Sequence, residues 1–186
     1  MKEWRYLPLE DLGRITSSKR IFQREYVSSG IPFYRTKEIK ELANQQKVTT
    51  ELYIGKDRFS EIKQKFGTPC IGDILITAIG TIGEIYVVEN DDDFYFKDGN
   101  VLWLRDFKDT NPKFLKYSLI SFLNDLNNLS SGSTYKALPI EKLEKHKIYL
   151  PSLQEQQRIV KILDYHPVRK SFTSKPLEKN CDSNTL

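Results

Sequence analysis

Cysteine, histidine and long apolar runs are all scarce in this chain of 186 residues. Two cysteines and two histidines are too few for a disulfide scaffold or for a zinc site with four protein ligands. No apolar run approaches the ~20 residues of a membrane span, and no apolar segment near the N-terminus is typical of a signal peptide. These absences exclude the secreted, disulfide-rich and membrane classes, and we expect a cytoplasmic protein.

The residues that are present are those of a globular protein. Hydrophobic residues make up 39% of the chain and aromatic residues 12%, enough for a sizeable core. The net charge is only +4, but residues 14–40 contain seven basic and two acidic side chains. A solvated surface is the simpler explanation of an isolated charge run. The functional explanation is an edge that faces phosphate groups.

Strand signals dominate the middle of the chain. Apolar runs bounded by glycine or Asp-Gly turns predict strands at 74–79, 85–88, 94–96 and 101–104. Shorter runs predict two more strands, at 31–35 and 147–150. Because the central runs are almost continuously apolar, we expect a sheet that is covered on both faces.

Helix signals are fewer. Phe59, Ile62 and Phe66 share one helical face that ends at Gly67, and Asn111-Pro112 begins a longer helix. Further signals predict a short helical turn after residue 139 and a last helix that begins at the capping-box sequence 152–155. The predicted fold class is α+β: a curved, mostly antiparallel sheet with a few packed helices, followed by the start of a further helix.

The expected organisation has three parts. Residues 1–151 form the main domain, and residues 152–164 begin the last helix. Residues 165–186 form an irregular or disordered tail, because Pro167 breaks the helical pattern and little apolar periodicity follows it.

No enzyme constellation is recognisable. There is no phosphate-binding loop or nucleophile elbow, and the two histidines have no cysteine or carboxylate at ligand spacing. The sequences Glu38-Ile39-Lys40 and Glu61-Ile62-Lys63 match the end of a nuclease motif, but no Pro-Asp pair precedes either of them. We therefore expect no catalytic residue and no metal ligand.

Three polar loops are better candidates for a binding surface. Residues 16–30 carry several basic side chains, and residues 77–81 place threonines beside a glycine. Residues 130–136 form a run of small polar side chains that ends in Tyr135-Lys136. Hydroxyl and cationic groups of this kind suit phosphate positioning and base-edge reading, although each loop alone could be only a connector.

Four motifs, in order along the chain, then resemble one family. They are LGRI at 12–15 with SGIPFYR at 29–35, GDILIT at 72–77 with GTIG at 80–83, GSTYKAL at 132–138, and LPSLQEQQRIV at 150–160. From about residue 4 to residue 164 the chain resembles a single target-recognition domain of a type I restriction-modification specificity (S) subunit. In that family the helix that begins at Ser152 continues for many turns, whereas Pro167 interrupts it here.

The resemblance implies a non-catalytic, sequence-specific DNA-binding module. It would read one half-site of a bipartite double-stranded target for a complex with modification (methyltransferase) subunits and a restriction subunit. The chain itself would need no cofactor, because S-adenosylmethionine would be bound by the modification subunit. A second recognition domain or another copy of the chain would read the second half-site.

Candidate contact residues follow from the loops and the resemblance. For DNA they are Lys19, Arg20, Arg24, Arg35, Lys37, Thr77, Thr81, Ser133, Thr134, Tyr135 and Lys136. For the subunit interface they are Gln156, Ile159, Val160 and Leu163. We expect the cations of residues 19–24 to contact mainly phosphate and the two glycine-containing loops to lie nearer the bases. The alternatives are a fragment of a small DNA nuclease or methyltransferase, and a protein-interaction domain whose basic face binds an acidic partner.

Overall fold

The computed structural model describes residues 4–129 and 137–165, and the side chains of residues 126–129 are not part of that description. The predicted loop at 130–136 lies outside the described residues. So does the predicted tail at residues 165–186, except for Tyr165, which is the last residue of the last helix.

Within the described residues the chain forms ten short strands and five α-helices. The strands are β1 (Arg5–Pro8), β2 (Arg14–Thr16), β3 (Tyr26–Val27), β4 (Ile31–Tyr34), β5 (Tyr53–Ile54), β6 (Ile74–Thr77), β7 (Ile85–Val87), β8 (Tyr95–Phe96), β9 (Val101–Arg105) and β10 (Lys147–Leu150). The helices are α1 (Thr36–Ala43), α2 (Lys56–Phe66), α3 (Pro112–Leu129), α4 (Ile140–Glu144) and α5 (Leu153–Tyr165). Two short 3₁₀ turns lie at Leu9–Asp11 and Gln23–Glu25.

The central sheet has the strand order β2-β9-β6-β7, and all of its neighbours are antiparallel. Successive side chains of a strand point to opposite faces. In β6, Ile74 and Ile76 therefore join the apolar cluster that includes residues of α3 and α4, and Leu75 joins the cluster that includes Ile39 of α1. The predicted burial of both faces is confirmed.

A second sheet, β3-β5-β4-β8, packs beside the first, and β1 pairs with β10 in a separate ribbon. The pairs β3–β5 and β4–β5 are antiparallel, whereas β4 and β8 run parallel. Between the second sheet and α2 lies a third apolar cluster, which contains Phe33, Ile54 and Phe59. The predicted α+β class and the mostly antiparallel pairing are confirmed, but the strands form three sheets rather than one.

The sequence prediction missed four strands, β1, β2, β3 and β5, and also helix α1. Three of them have only two or three residues, too few to show a period of two. Helix α1 is short and mostly polar, with Ile39 as its fully buried apolar side chain. In these elements the sequence shows no recognisable hydrophobic period, and their stability depends on tertiary contacts.

Gln156 fixes α5 against the start of α3. Its side-chain Oε1 accepts a hydrogen bond from the backbone N–H of Asn111 at 2.7 Å. Its Nε2 donates to the carbonyl oxygens of Asp109, at 3.0 Å, and of Pro151, at 2.8 Å. The side chain is fully buried and cross-links two helix ends through three backbone groups.

This burial corrects part of the predicted subunit interface. Gln156 and Val160 are buried within the domain, and Val160 belongs to the main apolar cluster. Ile159 packs partly against the same cluster, and Leu163 is half-buried. The apolar side chains that α5 exposes are instead Leu153, Ile162 and Tyr165.

Replacing Gln156 by Ala should lower the free energy of unfolding by about 3 kcal/mol, because one buried and two partly buried hydrogen bonds to backbone groups are lost at about 1 kcal/mol each. The control is Ser152→Ala. Its hydroxyl oxygen accepts from the Glu155 N–H at 3.4 Å, so the loss should lie near the lower end of about 0.5–2 kcal/mol. Urea unfolding of both variants tests this ranking. Equal losses would contradict the role assigned to Gln156.

Candidate nucleic-acid interface

Several connections emerge from one end of the central sheet. Because the strands are antiparallel, the end of β2, the start of β9, the end of β6 and the start of β7 meet at the same edge. The segments at this edge are residues 17–20, 78–84 and 97–100. We call these three segments, together with residues 35–37 at the start of α1, the rim.

The loop of residues 78–83 is fastened at its base by Thr77. The Thr77 hydroxyl donates to the carbonyl oxygen of Thr81 and accepts from the N–H of Glu84 at 3.0 Å. The Thr77 carbonyl oxygen also accepts from the N–H of Gly83 at 2.9 Å. Gly80 and Gly83 have φ of +81° and +90°, values that favour glycine, so the sequence permits this tight path.

Three other parts of the chain hold the same loop from outside. The carbonyl oxygen of Asn100 accepts from the N–H of Ala78, and the Ala78 carbonyl oxygen accepts from the N–H of Leu138, each at 2.8 Å. The hydroxyl of Thr36 in α1 donates to the carbonyl oxygen of Ile79 at 3.3 Å. Ala137 forms a β-bridge with Ile79, so the chain that leaves the 130–136 segment joins the fold at the rim.

Residues 17–20 are held by serine hydroxyls and backbone groups. The Ser17 hydroxyl donates to the carbonyl oxygen of Val101 at 2.9 Å and accepts from the N–H of Gly99 at 3.0 Å. The Ser18 hydroxyl donates to the carbonyl oxygen of Phe96 at 2.6 Å. This segment is therefore attached to the ends of both β8 and β9, and Arg20 follows on a fixed backbone.

Ion pairs orient the two arginines of the rim. Arg20 Nε donates to Asp98 Oδ2 at 2.8 Å. One terminal nitrogen of Arg35 donates to Glu38 Oε1 at 3.0 Å, and the Arg35 backbone N–H donates to Glu38 Oε2 at 2.8 Å. Burial tends to raise the pKa of the Glu38 carboxyl, but the hydrogen bonds from Arg35 outweigh it and hold the pKa below its ordinary value.

Four of the predicted DNA-binding residues lie exposed at the rim: Arg20, Arg35, Lys37 and Thr81. The Lys37 ammonium contacts the carbonyl and hydroxyl oxygens of Thr49, each at 3.2 Å. These four side chains come from three separate segments, residues 17–20, 35–37 and 78–84, and the fold brings them to one edge.

Lys19 also belongs to the rim by its position in the chain, but its side chain, like those of Arg24 and Thr77, is placed differently. The Lys19 ammonium lies 5.2 Å from the centroid of the Phe66 ring, which directs it toward the end of α2. The Arg24 guanidinium lies 4.9 Å from the ring centroid of the exposed Phe22, and no described contact joins it to the rim. Thr77 is fully buried, and both functions of its hydroxyl are used within the loop. The prediction that the Thr77 side chain contacts DNA is therefore corrected to a structural role.

The remaining predicted residues, Ser133, Thr134, Tyr135 and Lys136, lie outside the described residues. Conversely, sequence reasoning missed Thr36, Asp98 and Asn100 as parts of the rim. Asp98-Gly99 carries a visible turn signal, but nothing in the sequence indicates that Asp98 would reach Arg20 across 78 positions.

No group of three or more His, Cys, Asp or Glu side chains in residues 4–129 and 137–165 is arranged to hold a metal ion. Among the same residues, no helix has both the length and the apolar character needed to cross a membrane. A cavity of about 400 Å³ lies at the opposite end of the central sheet, lined by residues that include Ile74, Arg105 and Pro112.

Comparison with known proteins identifies the family of this chain. Residues 1–170 match the family model of the type I restriction modification DNA specificity domain. The chain is 35% identical over 159 residues to a Haemophilus influenzae protein described as a type I restriction enzyme specificity subunit. This chain therefore belongs to the type I restriction-modification DNA specificity domain family. Specificity subunits are non-catalytic in these systems.

Two solved structures have a similar fold. The HsdS subunit from Thermoanaerobacter tengcongensis matches 88% of this chain with a TM-score of 0.66 at 20% identity. The type I restriction-modification S subunit from M. genitalium matches 89% with a TM-score of 0.58 at 17% identity. The match covers 39% of the Haemophilus protein and 37% and 40% of these two chains, so the present chain spans about two fifths of its relatives.

Thr77→Val keeps the shape of the side chain but removes the hydroxyl, which leaves the Thr81 carbonyl and the Glu84 N–H without their partner. We expect a loss of about 1–3 kcal/mol in the free energy of unfolding, because two partly buried hydrogen bonds are lost at about 0.5–1.5 kcal/mol each. Amide hydrogen exchange should become faster at Gly83 and Glu84. Thr77→Ser, which restores the hydroxyl, should retain most of the protection. Equal exchange in both variants would contradict the fastening role.

The Arg35–Glu38 pair predicts a pH dependence of stability. Because the folded-state pKa of Glu38 is lowered, its contribution is complete above the unfolded-state pKa of about 4.3 and is lost as pH falls through the folded-state value. The difference in unfolding free energy between the wild type and Glu38→Gln should therefore shrink between about pH 5 and pH 3. A difference that stays constant over that range in urea titrations would contradict the assignment.

Proposed function

We propose that the rim recognises one half-site of a bipartite double-stranded DNA target for a type I restriction-modification complex. The observation that carries this proposal is the convergence at one sheet edge of a glycine-containing loop, two arginines and a lysine. Membership of a DNA specificity family supports the same function.

The rim combines the two kinds of group that DNA recognition requires. Cations such as Lys37 suit phosphate, which positions a protein on the duplex without reading sequence. Hydroxyl and backbone groups of a tightly held loop suit base edges in a groove, and the exposed Thr81 lies in such a loop. We include Ser133, Thr134, Tyr135 and Lys136 in the proposal because Ala137, which follows them, bridges to Ile79 in this loop.

The proposal extends to the assembly. Modification and restriction subunits would bind the chain, S-adenosylmethionine would be bound by the modification subunit, and a second recognition domain or another copy would read the other half-site. We expect the chain to act in the cytoplasm, because that location is consistent with a role in DNA restriction. On α5, the exposed Leu153, Ile162 and Tyr165 are better placed for a partner than the buried Gln156 and Val160, and Ile159 and Leu163 present only their exposed edges.

The structure argues against the nuclease alternative at the first of its two Glu-Ile-Lys sequences. Glu38, the carboxylate of the first Glu-Ile-Lys sequence, is fully buried and its two oxygens accept hydrogen bonds from Arg35. It therefore has no free oxygen that faces a metal site. The protein-interaction alternative is separated from DNA binding by comparing a duplex with an acidic protein in the same salt titration.

The whole chain should bind duplex DNA with an affinity that falls steeply with salt, with a non-specific Kd of roughly 10⁻⁴–10⁻⁶ M at physiological salt. Lys37→Ala should weaken binding to all duplexes alike and reduce the slope of log K against log salt by about 1. The matched control is Lys65→Ala, because Lys65 is equally exposed and also pairs with a glutamate, but lies on α2. Fluorescence anisotropy from 50 to 300 mM salt, or about that range, measures both slopes. Binding that is independent of salt would contradict the proposal.

A further inference from the structure

Arg20 and Asp98 form an ion pair whose geometry differs from that of the other cations of the rim. The bond uses Arg20 Nε, at 2.8 Å from Asp98 Oδ2, and the described chain shows no hydrogen bond from either terminal nitrogen of the guanidinium. The Arg20 side chain is 66% exposed, whereas the Asp98 side chain is 14% exposed. The carboxylate is thus largely buried in the domain, and the terminal nitrogens of the guanidinium are on its solvent-exposed side.

Asp98 itself is rigidly placed. It lies in the connection between β8 and β9, next to Gly99, whose N–H donates to the Ser17 hydroxyl at 3.0 Å. Its second oxygen, Oδ1, is buried without a hydrogen-bond partner among the described residues, and the Lys97 ammonium is 3.8 Å away. A partly desolvated carboxylate favours a fixed cation beside it, so Asp98 restrains the rotamers of Arg20.

This restraint matters for the kind of contact that Arg20 can make. A phosphate contact needs a positive charge but little fixed orientation, and a carboxylate partner reduces the net charge that the pair offers. A guanine contact needs two N–H donors held in one plane, because O6 and N7 are two adjacent acceptors in the major groove. The ion pair with Asp98 lowers the net charge at Arg20 but fixes the orientation of its guanidinium. This favours a base contact over a phosphate contact.

The other arginine of the rim lacks this arrangement. Arg35 uses one of its terminal nitrogens to bind Glu38, so one of the two terminal nitrogens that a bidentate contact needs is already occupied. Arg14 pairs with Asp106 through both Nε and a terminal nitrogen, at the opposite end of β2. At the rim, Arg20 therefore combines a fixed guanidinium with a free terminal fork.

We propose that Arg20 is a specificity-determining residue that reads a guanine of the half-site through its two terminal nitrogens, and that Asp98 is the positioning residue that holds it. This assignment rests on the proposed function of the rim. It revises the sequence-based expectation that Arg20 contacts mainly phosphate. It also commits the unidentified half-site to at least one guanine.

The test uses the whole chain and a duplex library with a block of randomised base pairs, from which bound molecules are selected and sequenced. The wild type should enrich a motif that contains a guanine. Arg20→Ala should lower the preference for that guanine by roughly 5- to 150-fold, the effect of losing one bidentate pair, and leave the other positions unchanged. Asp98→Asn should lower the same preference by a smaller factor without weakening binding to unselected duplex.

Two controls keep the result interpretable. Arg14→Ala and Asp106→Asn disrupt an arginine–aspartate pair of the same kind at the far end of β2 and should leave the motif unchanged. The double variant Arg20→Ala/Asp98→Ala removes both charges, so no unpaired carboxylate remains to destabilise the fold, and it should lose the same guanine. Thermal unfolding checks that each variant is folded.

The outcomes separate this assignment from the proposed function. If Arg20→Ala weakens all sequences alike and flattens the salt slope, Arg20 is a phosphate contact and the assignment is wrong while DNA recognition stands. An enriched motif without guanine, or one that both Arg20 variants leave intact, overturns the assignment in the same way. If the wild type enriches no motif, sequence recognition by the rim fails and the assignment fails with it.

Discussion

The antiparallel pairing of β6 with β9 is the constraint on which the rest of the molecule depends. Ile74 to Thr77 pairs with Leu104 to Val101, and every one of these side chains is buried on one face of the sheet or the other. A slip of one residue would move each side chain to the wrong cluster, so burial on both faces fixes the register. That register alone places the loop after Thr77 beside the turn before Val101.

The second sheet extends this constraint to the cations. Because β4 and β8 run parallel, their carboxyl ends meet at the same place, and the chain continues from them into Arg35 and into Asp98. The Ser18 hydroxyl ties the first basic segment to the end of β8, and the Ser17 hydroxyl ties it to the start of β9. A surface assembled from strand ends can vary its loops while the sheets stay unchanged, which is a favourable arrangement for a recognition domain.

Buried carboxylates offset part of the positive charge at the rim. Asp98 and Glu38 neutralise part of the basic window, but both are largely or fully buried and each orients one arginine. Cations that contact phosphate supply affinity for any duplex, whereas side chains that contact base edges supply discrimination. The family to which the chain belongs is defined by DNA specificity, and the relatives that it matches are more than twice as long. The described fold corresponds to about two fifths of such a relative.

The sequence by itself determined the apolar strands, the helices that begin at Pro112 and Leu153, and the family. These features are local. The apolar runs of β6, β7, β8 and β9 alternate with glycine turns, and the order of motifs from LGRI to LPSLQEQQRIV can be recognised without any knowledge of contacts. Short elements such as β3, β5 and α1 could not be predicted, since their stability comes from packing rather than from a pattern.

The candidate site shows the same division at the level of single residues. The sequence indicated which loops were polar, and it identified Arg20, Arg35, Lys37 and Thr81 as surface groups that the structure brings to one edge. Only the tertiary structure decided that Thr77 and Gln156 are buried and that Asp98 reaches Arg20. The physical reason is that the burial of a polar side chain, and the choice of its partner, depend on groups that are distant in the chain and that meet only when the sheets form.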